Sequence, residues 1–174
     1  MLSDQDIIQE IEHRNLKISP FDPKCVQAAS YDCHLGKDFL IPVKYHTVSI
    51  HLPPYYEELE TGLLALDPGE FVLGCLQESI TLPNNIAAQI NGKSTLGRLG
   101  LACHITAGFI DPGWNGILTL ELLNISKNPI LLSSGQKIAQ VSFYYLSSPS
   151  KQVYGDSKLG SKYNNATSVE GAKS

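Results

Sequence analysis

The chain has 174 residues, of which 43% are hydrophobic and 17% charged, with a formal net charge of −4. These values describe a single globular domain over 1–174 rather than a disordered chain, and they exclude bulk attraction to a nucleic-acid backbone. No apolar run reaches the roughly 20 residues of a membrane-spanning helix. The acidic start Met1-Leu2-Ser3-Asp4 lacks both parts of a secretory signal, so a cytoplasmic protein without a membrane partner is expected. In chain order, Ser3 caps a predicted helix that ends near Asn15 (about 1–16), with Ile7, Ile8 and Ile11 as its apolar stripe. From Gln27 onward, short apolar runs alternate with turns such as Asp67-Pro68-Gly69, Asp111-Pro112-Gly113 and Ser133-Ser134-Gly135. That spacing predicts an all-β sandwich or barrel, with strands near 38–43, 71–78, 86–91, 101–106, 117–124, 129–132 and 137–146. Residues 53–58 read as an excursion loop or an edge segment. Composition makes about 147–174 a polar, mobile tail.

The four cysteines (Cys25, Cys33, Cys75 and Cys103) have neither C-x-x-C spacing nor the density of a disulfide framework, so reduced structural thiols are expected. The H-x-E with P-C-x-x-C signature of zinc-dependent base deaminases is missing, so any base deamination here is expected to proceed without zinc.

Gly92-Lys93-Ser94-Thr95 is not a Walker A loop, because position 87 is alanine and no parallel βαβ unit surrounds it. It still offers a cation, two hydroxyls and a short helical turn that places Ser94 and Arg98 on one face. Two readings stand, an anion-binding turn or a capped surface turn. Asp111-Pro112-Gly113 reads equally as an ordinary tight turn. In residues 117–124 a period of two puts Leu118, Leu120 and Leu122 on one face and Thr119, Glu121 and Leu123 on the other. Glu121 then either faces solvent or lines a cleft, where desolvation would suit it to general-base work. His104, in an apolar context, reads as a satisfied core or interface histidine.

Residues 92–124 resemble the dCTP deaminases, relatives of the trimeric dUTPases. Matching blocks in family order are Gln27-Ala28-Ala29-Ser30-Tyr31-Asp32, Leu66-Asp67-Pro68-Gly69-Glu70-Phe71, Gly135-Gln136-Lys137-Ile138-Ala139-Gln140, Tyr154-Gly155 and Gly160-Ser161-Lys162-Tyr163. The resemblance implies a distorted β jelly roll or β-barrel of the dUTPase-like type with a short N-terminal helix, assembled as a homotrimer with sites at subunit boundaries. It implies zinc-free deamination of dCTP, with Glu121 as the base that activates water. Ser94 and Arg98 would position the base and water, and the Ala107 carbonyl would hold the ring-side groups. Lys93, Ser94 and Thr95 would meet the triphosphate, which carries magnesium; Leu96, Gly97 and Arg98 would also bind the nucleotide, and Asp111 the deoxyribose. Thr119, Leu120 and Gln140 would complete recognition, while Tyr154 and Lys162 would reach the phosphates from a C-terminal lid.

Ala107-Gly108-Phe109-Ile110-Asp111 resembles members that also cleave the triphosphate and release dUMP. Gly108 and Phe109 mark that branch, since strictly deaminating members often carry arginine at the position of Phe109. The expected activity is conversion of dCTP to dUMP, ammonia and diphosphate for thymidylate synthesis. The alternatives are a deaminase giving dUTP, a dUTPase or a non-catalytic nucleotide binder, with dUTP and dTTP as further ligands. One departure stands out: after Lys162-Tyr163 the family continues with a glutamine and a Gly-Pro-Thr-like stretch, whereas here Asn164-Asn165-Ala166-Thr167-Ser168 follows.

Overall fold

The computed structural model describes residues 1–13, 15–44 and 47–174. Helix α1 (Asp4–Glu12) opens with a reciprocal cap. The Ser3 hydroxyl accepts from the Asp6 N–H, and the Asp6 carboxylate accepts from the Ser3 N–H. Ile7 is fully buried and Ile11 packs against the core, while Ile8 stays largely exposed. The helix ends three residues before the predicted end; Arg14, in the predicted last turn, lies outside the described residues.

Strands follow in the order β1 (Lys17–Ser19), β2 (Val26–Gln27), β3 (Ser30–His34), β4 (Asp38–Pro42), β5 (Tyr56–Glu60), β6 (Leu63–Leu66), β7 (Phe71–Thr81) and β8 (Ile86–Gly92). A short helix α2 (Ser94–Leu99) intervenes before β9 (Leu101–Cys103), β10 (Phe109–Ile110), β11 (Asn115–Asn124), β12 (Ile130–Ser133) and β13 (Lys137–Tyr145). One sheet runs β5-β4-β7-β11-β9, with β1 also paired to β7. A second runs β10-β8-β13-β3-β2, and β12 pairs with β6. Every strand pairing is antiparallel. The inward side chains of both sheets, among them Tyr31, Val72, Leu76, Ile90, Leu120 and Phe143, form one apolar cluster. This is the layered all-β architecture that the turn spacing predicts.

Buried polar contacts complete the core. Glu78 of β7, 1% exposed, accepts from the His34 backbone N–H at 2.9 Å and sits 2.6 Å from His34 Nδ1, which ties the first sheet to the second. Asp32 of β3 is buried between the ammonium groups of Lys93 and Lys137. Leaving either carboxylate unpaired would be costly in a low-dielectric interior.

Several expectations change. Of the two readings of 53–58, the edge segment is the one observed: residues 56–60 form the edge strand of the first sheet. The strand predicted over 101–106 stops at Cys103 because His104 takes φ +61°, turning the chain out of the sheet. The C-terminal segment docks instead of trailing: Gly116 and Ala166 form a parallel bridge, and Asn165 N–H donates to Asn115 O at 2.7 Å. All four cysteines are free thiols, and burial pushes each of them up, Cys75 to about 11 and Cys103 to about 12. Among the described residues no helix is long and apolar enough to cross a membrane.

Candidate active site

Strand β11 is the spine of the site. Its alternation is strict: Leu118, Leu120 and Leu122 are buried, while Ile117, Thr119, Glu121 and Leu123 lie half-buried on the other face. Glu121 pairs in register with Leu73 of β7 on one side, and its neighbour Leu122 with Cys103 of β9 on the other. The sheet therefore fixes the backbone beneath the carboxylate. The side chain is fixed by the loop that leaves β9. Thr106 N–H donates to Glu121 Oε2 at 2.9 Å, and the Thr106 hydroxyl lies 3.1 Å from both carboxylate oxygens. His104 N–H donates to Glu121 O at 2.8 Å, anchoring that loop to the strand.

The Thr119–Glu121 face forms part of a cavity of about 450 Å³. Ala107 enters it from the loop after β9, Phe109 from β10 and Asp111 from the turn that follows, Tyr154 and Tyr163 from the C-terminal segment, and Tyr56 from β5. Gly108 packs behind that loop: a Cβ there would lie 2.3 Å from Gln89 Nε2 and 3.0 Å from Ile90 O. The next turn, Asp111-Pro112-Gly113, closes with Trp114 N–H donating to Asp111 O at 3.2 Å. Gly113 takes φ +86°, which suits glycine after a proline in a tight turn. Trp114 then packs at 5.4 Å from the Tyr154 ring. The structure thus brings together Glu121, Ala107, Phe109, Asp111, Thr119 and Tyr154, all singled out in the sequence.

The remaining candidates lie elsewhere in the chain. Lys93 leads into α2 and donates to Asp32, so its ammonium is already engaged. Ser94, Thr95, Gly97 and Arg98 are exposed on α2, Leu96 is half-buried, and none of them lines the cavity. Gly100, at φ +93°, ends the helix; a Cβ there would meet Ser126 Cβ at 2.5 Å. Gln140 sits on β13 beside Asn91 and Asp32. The Leu120 side chain is fully buried on the opposite face of β11, leaving only its backbone to a ligand. Lys162 lines an adjoining cavity of about 460 Å³ together with Asp111 and Tyr154, and its ammonium donates to Lys173 O at 3.0 Å.

His104 differs from the expectation of a satisfied histidine. It lines the Glu121 cavity, and among the described residues neither buried ring nitrogen has a hydrogen-bond partner. The left-handed backbone turn swings it off the strand, away from donors and acceptors. Residues unannounced by the sequence pattern also line the cavity: Tyr56, Phe71, Trp114, Tyr163 and Glu170. Thr106, whose grip on Glu121 comes from loop geometry, carried no sequence signal either. Among the described residues the lining holds three acidic residues (Asp111, Glu121 and Glu170) and neither lysine nor arginine. Such a cavity suits a neutral or donor-bearing ring rather than a phosphate chain. Among the described residues no three His, Cys, Asp or Glu side chains cluster as a metal site.

A family profile described as dCTP deaminase-like matches residues 1–146. The chain is 46% identical over 172 residues to a Mycobacterium tuberculosis (strain H37Rv) protein named dCTP deaminase, dUMP-forming, covering 94% of this chain and 90% of that one. It is 44% identical over 172 residues to a Nocardioides protein of the same name, covering 94% and 89%. Among solved structures, the 2′-deoxycytidine 5′-triphosphate deaminase from Agrobacterium tumefaciens superposes with a TM-score of 0.65 at 26% identity. That match covers 82% of this chain, which spans 46% of the length of the Agrobacterium chain. Native EIAV dUTPase, at 22% identity and a TM-score of 0.51, shares the fold over 82% of this chain and 96% of its own.

Proposed function

Because this chain belongs to the dCTP deaminase-like family, we propose that it converts dCTP to dUMP, ammonia and diphosphate. The observation that carries the proposal is the Glu121 carboxylate, aimed by Thr106 into a cavity of nucleoside size that also holds Asp111, Ala107 and Phe109. In the first step Glu121 takes a proton from water while the water oxygen adds to C4 of the cytosine ring. The carboxyl passes that proton to N3 of the ring; it then carries the proton of the new C4 hydroxyl to the exocyclic nitrogen, so that the C4–N bond breaks and ammonia leaves as the C4 carbonyl forms. In the second step a water attacks the α-phosphorus, breaking its bond to the bridging oxygen and releasing diphosphate. Two waters are consumed, and the products balance as dUMP, ammonia and diphosphate. Magnesium enters with the triphosphate as part of the substrate, bound through phosphate oxygens. The naming of the relatives as dUMP-forming supports the two-step reading over release of dUTP, as does Phe109 in the cavity wall where strictly deaminating members often carry arginine.

The charge distribution supports a site shared between copies of a homotrimer. Among the described residues the cavity has no lysine or arginine in its lining, while α2 exposes Ser94, Thr95 and Arg98 away from it. A neighbouring subunit that lays its α2 over the cavity mouth supplies the missing cation. Such packing also covers Leu99 and Ile125, joined through the Gly100–Ile125 backbone bond and left 57% and 68% exposed in one chain. In this reading Lys93 and Lys162 meet phosphates, Thr119, Leu120 and Gln140 contribute to recognition, and 147–174 acts as a lid on a single domain. A cytoplasmic location fits a nucleotide substrate.

Incubation of the purified protein with magnesium and dCTP, followed by chromatographic resolution of the products, tests the reading. Formation of dUMP with diphosphate is expected. Accumulation of dUTP would assign deamination alone, and absence of any product would leave a nucleotide binder.

A further inference from the structure

Residues 164–174 have no apolar run to hold them, yet the chain from Asn164 to Lys173 lies against the first sheet and supplies part of the cavity wall. Its attachment is polar and backbone-directed. Asn115 grips the start: its backbone N–H donates to Asn164 Oδ1 at 3.0 Å, and its side-chain amide donates to Asn165 Oδ1 at 2.7 Å. Farther on, the Ser168 hydroxyl donates to Asp38 Oδ2 at 2.9 Å. The far end reaches the cavity itself. Glu170 N–H donates to the Thr119 hydroxyl at 2.9 Å, two residues from Glu121 on the same face of β11. Ala172 N–H donates to the Tyr56 hydroxyl at 3.2 Å. Gly171 lies flat on the Tyr56 ring, where an added Cβ would come within 2.5 Å of Cε2. Lys173 closes the loop, donating to Glu170 Oε2 at 2.8 Å and to Lys162 O at 3.0 Å, with its ammonium 5.1 Å from the Tyr163 ring centroid.

We propose that Tyr56 and Gly171 form a clasp between the edge strand β5 and the C-terminal strap, and that Tyr56 is a positioning residue for the nucleotide, acting through the wall it holds in place. The proposal rests on the reading of the cavity as the nucleoside site. Three features support it. The clasp partners are neighbours in space but 115 positions apart in sequence, so only a docked strap joins them. A cavity of about 450 Å³ remains with the strap in place, so the strap walls the site without filling it. The bonds also suit release: the far end is held by three backbone N–H donors to hydroxyls (Glu170 to Thr119, Ala172 to Tyr56 and Lys173 to Tyr163) and by the mutual bonds of Lys162 and Lys173, each weak enough to break and reform as nucleotide enters and leaves.

The experiment compares wild type with Tyr56→Phe, which keeps the ring and loses the hydroxyl, and Gly171→Ala, which pushes a methyl group into the ring. Gly171→Ala lies in a stretch, 170–174, that adds no side chain to the apolar cluster, so folding is not at risk. With magnesium-dCTP, each variant is expected to raise KM about 3- to 10-fold, the effect of losing about one hydrogen bond, with kcat changing less than KM. Without nucleotide, acrylamide quenching of Trp114, the only tryptophan and a residue of the cavity lining, is expected to increase in both. Unchanged KM and unchanged quenching in both variants would overturn the clasp. So would a lower KM after deletion of residues 170–174, which would make the strap an obstruction. A wild-type protein that forms no product from dCTP would instead refute the assigned reaction, while Trp114 quenching would still report on the clasp.

Discussion

Glu121→Gln is expected to lower the rate of dCTP deamination by about 10²–10⁴-fold, the usual contribution of a general base. Glutamine keeps the shape and one acceptor oxygen, so the bonds from the Thr106 N–H and hydroxyl can largely reform. What is lost is the ability to accept a proton from water as it attacks C4. The side chain is half-buried and not part of the apolar cluster, so the cost to folding should stay near 1 kcal/mol, about 2–4 °C in Tm for a chain of this length. Thermal melting and nucleotide binding should therefore remain close to normal while turnover disappears. Turnover within a few fold of wild type would remove Glu121 from the mechanism.

Arg98→Ala carries the second large effect, a loss of about 10²–10³-fold if the guanidinium stabilises charge that develops in the reaction. Its position makes a sharper test available. Arg98 is exposed on α2 and does not line the cavity of its own chain, whereas Glu121 does. If each site takes Glu121 from one subunit and Arg98 from the next, the two inactive variants should complement one another. Trimers reassembled from an equal mixture of Arg98→Ala and Glu121→Gln would hold both native residues in about one quarter of their sites. Activity near that fraction of wild type is expected from the mixture, with almost none from either variant alone. A mixture as inactive as its components would place both residues in the same subunit's site.

The parts of the fold that were legible in the sequence are those built on apolar alternation. Strands β7, β8, β11 and β13 were all expected within a few residues of their ends, and Glu121 was visible as the charged member of a strand that otherwise alternates cleanly. Strand β3 was not visible, because its inward positions include Asp32, Cys33 and a neighbouring His34. A buried carboxylate reads as surface until Lys93 and Lys137 are seen to hold it. Strand β5, Tyr56-Glu57-Glu58-Leu59-Glu60, has the composition of a loop because one side of an edge strand needs no cover. The C-terminal segment was misread for a different reason. Its docking depends on amide pairs such as Asn115–Asn165 and on backbone N–H groups, and hydrophobic pattern reports neither. The same limit hid Thr106 and Tyr56, which act through loop and edge geometry rather than through a motif.

The central claim is that one chain carries dCTP through to dUMP without releasing dUTP. The direct measurement supplies ring-labelled dCTP together with a large excess of unlabelled dUTP and follows the label over the first turnovers. Label should appear in dUMP at the rate dCTP is consumed, with the dUTP pool unlabelled. Label collecting in dUTP ahead of dUMP would contradict the account and leave the second step to another enzyme.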